Sequence, residues 1–242
     1  MTATAETTIV VPARFCGPPT TGNGGYTCGL AAEQLAGSSA VECTIRKPIP
    51  IARELRIERR GGAVVLLDAD QTIIEAVPTE FQPALPHCIT LAQAKSATEH
   101  SPAFADHPFP TCFVCGPERQ AQDGLSIFPG KVDDQPGFPN LYAALWTPAP
   151  EFADAAGNVR HEFLWAAMDC PTGFAAGFPY QGKLVTGRLA VRCLAPLRAS
   201  QHCVVMSWSL GNEGRKCHAA AALFNSNSEP CAVAKATWIR VA

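Results

Sequence analysis

Apolar and polar positions divide the chain into two similar halves. In the first, AVECTIRKPI (40–49), ELRIERRG (54–61), AVVLLDAD (63–70) and TIIEAVP (72–78) are β-type stretches, several of them alternating, punctuated by Gly-Gly or Asp-Ala-Asp-Gln. They predict strands of an antiparallel sheet. A run of small and apolar residues precedes them and predicts a helix over about residues 25–36. In the second half the strand-like LSIFPGKV (125–132) and LYAALWTP (141–148) come first, then a helix candidate, HEFLWAAMDCPTGFAAG (161–177). Four more β-type stretches follow: LVTGRLAVRCLAP, QHCVVMSWSLG, KCHAAAALFNS and CAVAKATWIRV. Between the halves the pattern fades into a Pro- and His-containing connector with a short helix candidate at ITLAQAKSA.

The same order thus occurs twice: strand, helix, then a run of strands. Residues echo it, because VECTIRKPIP (41–50) aligns with LAVRCLAPLR (189–198) and brings Pro48 and Pro196 into register, 148 positions apart. A repeat of that period predicts a duplicated domain. The expected division is residues 1–81 as one unit, 82–124 as connector and 125–242 as the second unit. Joining the two sheets edge to edge would remove exposed edges. Residues 82–110 are expected to be the least ordered internal segment.

Composition narrows the class. The chain has 242 residues, 47% apolar and 17% charged, with a net charge of −2. That supports a substantial core and gives no electrostatic case for nucleic acid or a membrane surface. No apolar run approaches the ~20 residues that cross a bilayer. MTATAETTIVVPARF lacks the basic-then-apolar pattern of a signal peptide, and its first residues are expected to be disordered. Eleven cysteines, an odd number without an export signal, read as reduced thiols of a cytoplasmic protein. Most, such as Cys193 and Cys203, have the apolar neighbours of small core residues.

Chemistry concentrates at the two helix starts. Asn23 can cap the first helix. Gly24 and Gly25 behind it each cost about 1 kcal/mol inside a helix, but leave backbone N–H groups open to close approach. NGGY followed by small residues resembles the helix start of hotdog-fold acyl-CoA thioesterases, many of which have His-Gly-Gly there. CFVCGPERQAQDGLSIFPG (112–130) resembles the Cys-Phe-x-Cys-Gly…Gly-Leu opening of phenylacetate-type thioesterases of that fold. From about residue 9 to its end the chain looks like a member of the double-hotdog thioesterase-like superfamily. The implied fold is α+β, two units each with a central helix wrapped by an antiparallel sheet, with homo-oligomers of such chains a further expectation.

The resemblance implies a thioester carbonyl held by helix N-terminal N–H groups and attacked by water with help from a carboxylate. Gly24, Gly25 and Tyr26, with Asn23 as cap or extra donor, are the implied substrate-binding residues. In the family the carboxylate lies eight or nine residues beyond the turn. Counting nine from Asn23 reaches Ala32, with Glu33 next, whereas Asp169 stands nine beyond Arg160. One composite site per chain follows, pairing the first helix start with Asp169. The alternative for Asp169 is a helix cap ahead of Pro171. A family Thr, about ten residues before a Pro, falls at Thr186; a family Gln falls near Lys235, where none stands. The implied function is acyl-thioester hydrolysis; the alternative is a non-catalytic acyl-CoA binder. A hydratase would want an Asp-His pair at the helix start, which the sequence lacks.

No metal and no cofactor is expected. Cys112-x-x-Cys115 is half of a zinc site, with His107, His100 and His87 upstream, but there is no second CxxC, and a turn is the expected reading. Cys170 has no His placed to activate it by sequence logic, and His161 reads as a helix-start residue.

Overall fold

In a computed structural model, residues 7–35, 37–120, 122–179 and 182–241 are described. The disorder expected of the first few residues, and Ala36 at the end of the predicted first helix, lie outside them.

The first half carries β1 (Thr8–Val10), helix α1 (Gly24–Glu33), β2 (Ala40–Ile45), β3 (Glu54–Arg60), β4 (Ala63–Asp68) and β5 (Gln71–Thr79). Helix α2 (Leu91–Glu99) lies in the connector. The second half carries β6 (Gly130–Lys131), β7 (Tyr142–Trp146), helix α3 (His161–Ala175), β8 (Leu184–Cys193), β9 (Cys203–Glu213), β10 (Lys216–Phe224) and β11 (Pro230–Arg240). All eleven strands form one antiparallel sheet in the order β1-β3-β4-β5-β2-β8-β11-β10-β9-β7-β6. It is the continuous two-helix, one-sheet arrangement expected of a double hotdog.

The halves join where β2 meets β8. Val41 faces Val191, Glu42 faces Ala190 and Cys43 faces Leu189. A shift of 148 residues turns the first of these pairs into the third and leaves Glu42–Ala190 on the axis. The register seen in the two prolines is therefore a two-fold pseudo-symmetry of the sheet. The helices obey it as well. Their caps, Asn23 and Arg160, are equivalent at a spacing of 137. A Cβ on Gly25 would lie 2.9 Å from Ala166 Cα, and one on Gly29 would lie 2.6 Å from Glu162 Cα, two contacts that this spacing interchanges. Gly25 and Gly29 thus let α1 and α3 approach backbone to backbone. The two helices and the sheet's inner face share one core.

The outer face differs between halves. In β3 it carries Arg56, Glu58 and Arg60, which form ion pairs. In the second half α2 covers it. Helix α2 lies over β7, beside β6 and β9, and Ala94 and Ala97 join an outer apolar cluster with Ala143, Val204, Met206, Ala220 and Ala222. Ala220 and Ala222 belong to that outer cluster while Ala219 and Ala221 belong to the inner core, which explains the unbroken apolar run in β10, buried on both faces. The connector segment expected to be least ordered therefore holds a helix with a full capping box, in which Thr90 and Gln93 bond each other's backbone. It is the short helix anticipated at ITLAQAKSA (89–97), running from Leu91 to Glu99. LSIFPGKV pairs as a strand only at Gly130–Lys131. Leu125 and Ile127 instead donate to the carbonyls of Phe113 and Val114, tying the chain to the Cys-Phe-x-Cys turn. Cys193, read as a core residue, is exposed at the end of β8, whereas Cys203 is buried.

Candidate active site

Helix α1 begins as its sequence dictates. The Asn23 side chain accepts from Tyr26 N–H at 2.9 Å, and the Asn23 carbonyl accepts from the Thr27 hydroxyl. Tyr26 then turns away into an aromatic cluster with Phe15, Phe113 and Phe163. Its N–H is used by the cap and its ring by the core. Gly25 also has both duties filled. Its N–H donates to Asp169 Oδ2 at 2.8 Å, and a Cβ there would sit 2.6 Å from Asp169 Cβ and 2.7 Å from the Trp165 carbonyl. Gly24 is different. It is half-buried, lines the cavity described below and lies against Thr186, whose Oγ1 would be 3.2 Å from a Cβ at that position. Among the described residues nothing accepts from its N–H. As the first residue of a helix it is one of the donors that geometry leaves without an intrahelical partner.

Asp169 lies in the interior of α3, which runs through Pro171 without a break, so the cap reading of Asp169 does not hold. The carboxyl is 1% exposed. Oδ1 accepts from Thr186 Oγ1 at 2.7 Å and Oδ2 from Gly25. Burial pushes its pKa up to about 6, against the pull of those two hydrogen bonds. Trp238 Nε1 donates to Thr172 Oγ1 at 2.8 Å, and that hydroxyl donates to the Asp169 carbonyl at 2.6 Å, fixing the helix turn beneath the carboxylate.

The structure thus gathers Asn23, Gly24, Gly25, Asp169 and Thr186 at one point between the halves and leaves the Tyr26 ring outside it. Lys235 is exposed on the outer face of β11, and Glu33 is exposed at the far end of α1. No glutamine lines the cavity among the described residues. The cavity holds about 380 Å³ and has apolar walls that include Ile45, Ile49, Phe174, Phe178 and Trp238. Arg46 and Lys47 are exposed at its rim; Arg46 pairs with Glu75 at 2.7 Å, while Lys47 forms no ion pair among the described residues.

Sequence reasoning missed three further features of this cavity. The first is the rim cations, which in the sequence look like ordinary surface charges just after a strand. The second is the fit of the Cys112–Gly116 turn. Gly116 N–H closes it on the Cys112 carbonyl, and a Cβ on Gly116 would lie 2.5 Å from the Pro110 carbonyl, so only glycine fits. The third is the meeting of Cys170 with Cys112, their sulfurs 3.6 Å apart and both on the cavity wall. His107, from the same connector, reaches Cys115 Sγ with Nε2 at 3.2 Å. Hydrogen bonds from the Cys115 and Cys170 thiols hold the Cys112 thiol well below its usual range. His161 stays at the start of α3, with Nδ1 3.2 Å from the Gly29 carbonyl and Nε2 accepting from Trp165. No described helix is long and apolar enough to cross a membrane.

No family model matches the chain, and no curated protein matches it. Solved structures do. An acyl-CoA thioesterase II from Mycobacterium marinum is 12% identical, with a TM-score of 0.59 over 88% of each chain. The TesB protein of Mycobacterium avium subspecies paratuberculosis is 15% identical, with a TM-score of 0.56 over 90% of this chain and 85% of that one. A hot-dog-fold protein of unknown function from Alicyclobacillus acidocaldarius is 10% identical, with a TM-score of 0.58 over 97% and 92%. At these identities the likeness is one of fold. The chain has the double-hotdog fold.

Proposed function

We propose that this protein hydrolyses an acyl thioester, of the acyl-CoA type, at a composite site between its two halves. The observation that carries the reading is Asp169, a buried carboxylate held by Thr186 and Gly25 on the wall of an apolar cavity, beside the unpaired N–H of Gly24. The thioester carbonyl sits against Gly24 N–H, where the helix dipole and the free donor favour the negative charge that develops on oxygen. Asp169 takes a proton from water as the water attacks the carbonyl carbon. The tetrahedral adduct collapses, the C–S bond breaks, and the proton passes to the departing thiolate, leaving a carboxylic acid and a free thiol. Thr186 orients the carboxylate. Gly25 has a double role, packing the helices and fixing Oδ2.

The cavity volume and apolar walls suit an acyl group. Lys47 and Arg46 at the rim suit a phosphorylated thiol carrier. The name of the Mycobacterium marinum neighbour, acyl-CoA thioesterase II, agrees with that substrate class. A second reading, acyl-thioester binding without turnover, draws support from the cavity wall, where the described residues include no glutamine to hold a water.

Release of free CoA from short, aromatic and long acyl-CoAs tests both. Wild type is expected to turn over at least one class. Asp169→Asn keeps the shape but removes the base, and is expected to lower turnover by roughly 10²–10⁴-fold with little loss of binding. Binding with no turnover across all classes would leave only the second reading. Full turnover in a folded Asp169→Asn protein would remove Asp169 from the mechanism.

A further inference from the structure

Three cysteines from two distant segments converge on the wall of the same cavity. Cys112 and Cys115 flank the tight turn of the connector, and Cys170 comes from α3. Their three Sγ atoms all lie within 4.8 Å of one another, with Cys112 and Cys170 at 3.6 Å, and all three residues are buried. Thiolates at the usual zinc–sulfur length of about 2.3 Å in tetrahedral geometry stand about 3.8 Å apart, so side-chain rotations of the existing thiols suffice to close around one ion.

The surroundings supply N–H donors in the pattern that thiolate ligands attract. His107 Nδ1 accepts from Phe109 N–H at 3.0 Å and therefore carries no proton. In the neutral ring the proton is on Nε2, which faces Cys115 Sγ at 3.2 Å. His107 is thus a hydrogen-bond donor to a ligand sulfur rather than a fourth ligand. Asn23 Nδ2 faces Cys112 Sγ at 4.0 Å from the other side. Such outer donors orient metal-bound groups and tune their basicity. With three ligands from the protein, the fourth position falls on the open side, where all three cysteines line the cavity beside Asp169. A three-ligand site with one position open is the arrangement of catalytic rather than structural zinc.

We propose that Cys112, Cys115 and Cys170 bind a soft divalent metal ion, zinc foremost, through three thiolates, with the fourth coordination position open to the cavity. Binding displaces the thiol protons to solvent, so it is accompanied by proton release. The proposal stands independently of hydrolysis, because it is read by metal content and spectra rather than by turnover.

The test uses the full chain, stripped of metal and reduced with a phosphine, with all thiols titrated as free. Zinc added and then passed over a chelating resin is expected to remain at about one per chain by mass spectrometry. Cobalt(II) is expected to give intense near-ultraviolet sulfur-to-metal charge-transfer absorption. Cys170→Ser is expected to weaken zinc binding by on the order of a hundredfold or more, and Cys203→Ser, at a buried thiol elsewhere, is expected to leave it unchanged. Cobalt spectra without charge transfer, or zinc retained equally by a folded Cys170→Ser chain, would overturn the site. A Cys112–Cys170 disulfide in protein purified with zinc present and without oxidant would do the same.

Discussion

The two helix starts of this molecule are equivalent in the fold and opposite in chemistry. At α1, Asn23, Gly24 and Gly25 meet Asp169 of α3. At α3, the equivalent positions hold Arg160, His161 and Glu162, and the counterpart of Asp169 in α1 is Ala32. The second start also borders a cleft, of about 370 Å³, lined by Ala32, His161 and Trp165. Its residues are committed to each other. His161 bonds the Gly29 carbonyl and Trp165, and Arg160 pairs with Glu162 at 3.4 Å. Duplication supplies two frames of the same geometry, and a carboxylate, a bare N–H and an orienting hydroxyl come together in only one of them. A fold likeness alone therefore does not tell the two frames apart; the side chains at equivalent positions do.

Beyond the loss expected of Asp169→Asn, the next largest effect tests whether the second frame can be given a carboxylate. Ala32 is buried, and the 137-residue spacing makes it the counterpart of Asp169 and Glu162 the counterpart of Gly25. Ala32→Asp places an acid at the equivalent of Asp169 with a like charge where Gly25 would be. It is expected to lower stability by about 3 kcal/mol, seen as a fall of roughly 6–12 °C in melting temperature, with no added turnover. A second functional site appearing in that variant would mean that the frame, not its side chains, sets activity. Smaller is Thr186→Val, which keeps the shape and removes one hydrogen bond to the carboxylate. Turnover should fall about tenfold, or roughly 1.4 kcal/mol, with KM little changed; a change confined to KM would make Thr186 a substrate contact instead. Smallest is Lys47→Ala at the rim. It should raise KM for a phosphorylated thioester about threefold at low salt, with the effect fading at high salt. An equal change for a short thioester lacking phosphate would argue against a charge role.

Much of this was legible in the sequence because the signals are local. Alternation marked the strands, and the spacing of Pro48 and Pro196 carried the pseudo-symmetry that the β2–β8 register displays. Counting nine residues from each cap singled out Asp169 and Thr186 followed from a family pattern; the structure sets both within hydrogen-bonding distance of each other. What stayed hidden depends on contacts between segments far apart in the chain. Gly25 looked like bare backbone for a ligand, but its first duty is to let α3 approach, which needs the position of Trp165 to see. Cys170 lies 55 residues beyond Cys115, and nothing in its neighbours on the chain points to the connector. The stretch ITLAQAKSA pointed to α2, but its place on the outer face of the sheet over β7 depends on contacts between segments distant in the chain.

The claim of one composite site per chain is tested most directly by calorimetric titration of Asp169→Asn with a thioether analogue of an acyl-CoA that wild type hydrolyses. The account predicts one analogue bound per chain, an affinity within a few-fold of wild type, and competition by the substrate. Two equivalents bound per chain, or one bound with turnover undiminished in the same variant, would contradict it.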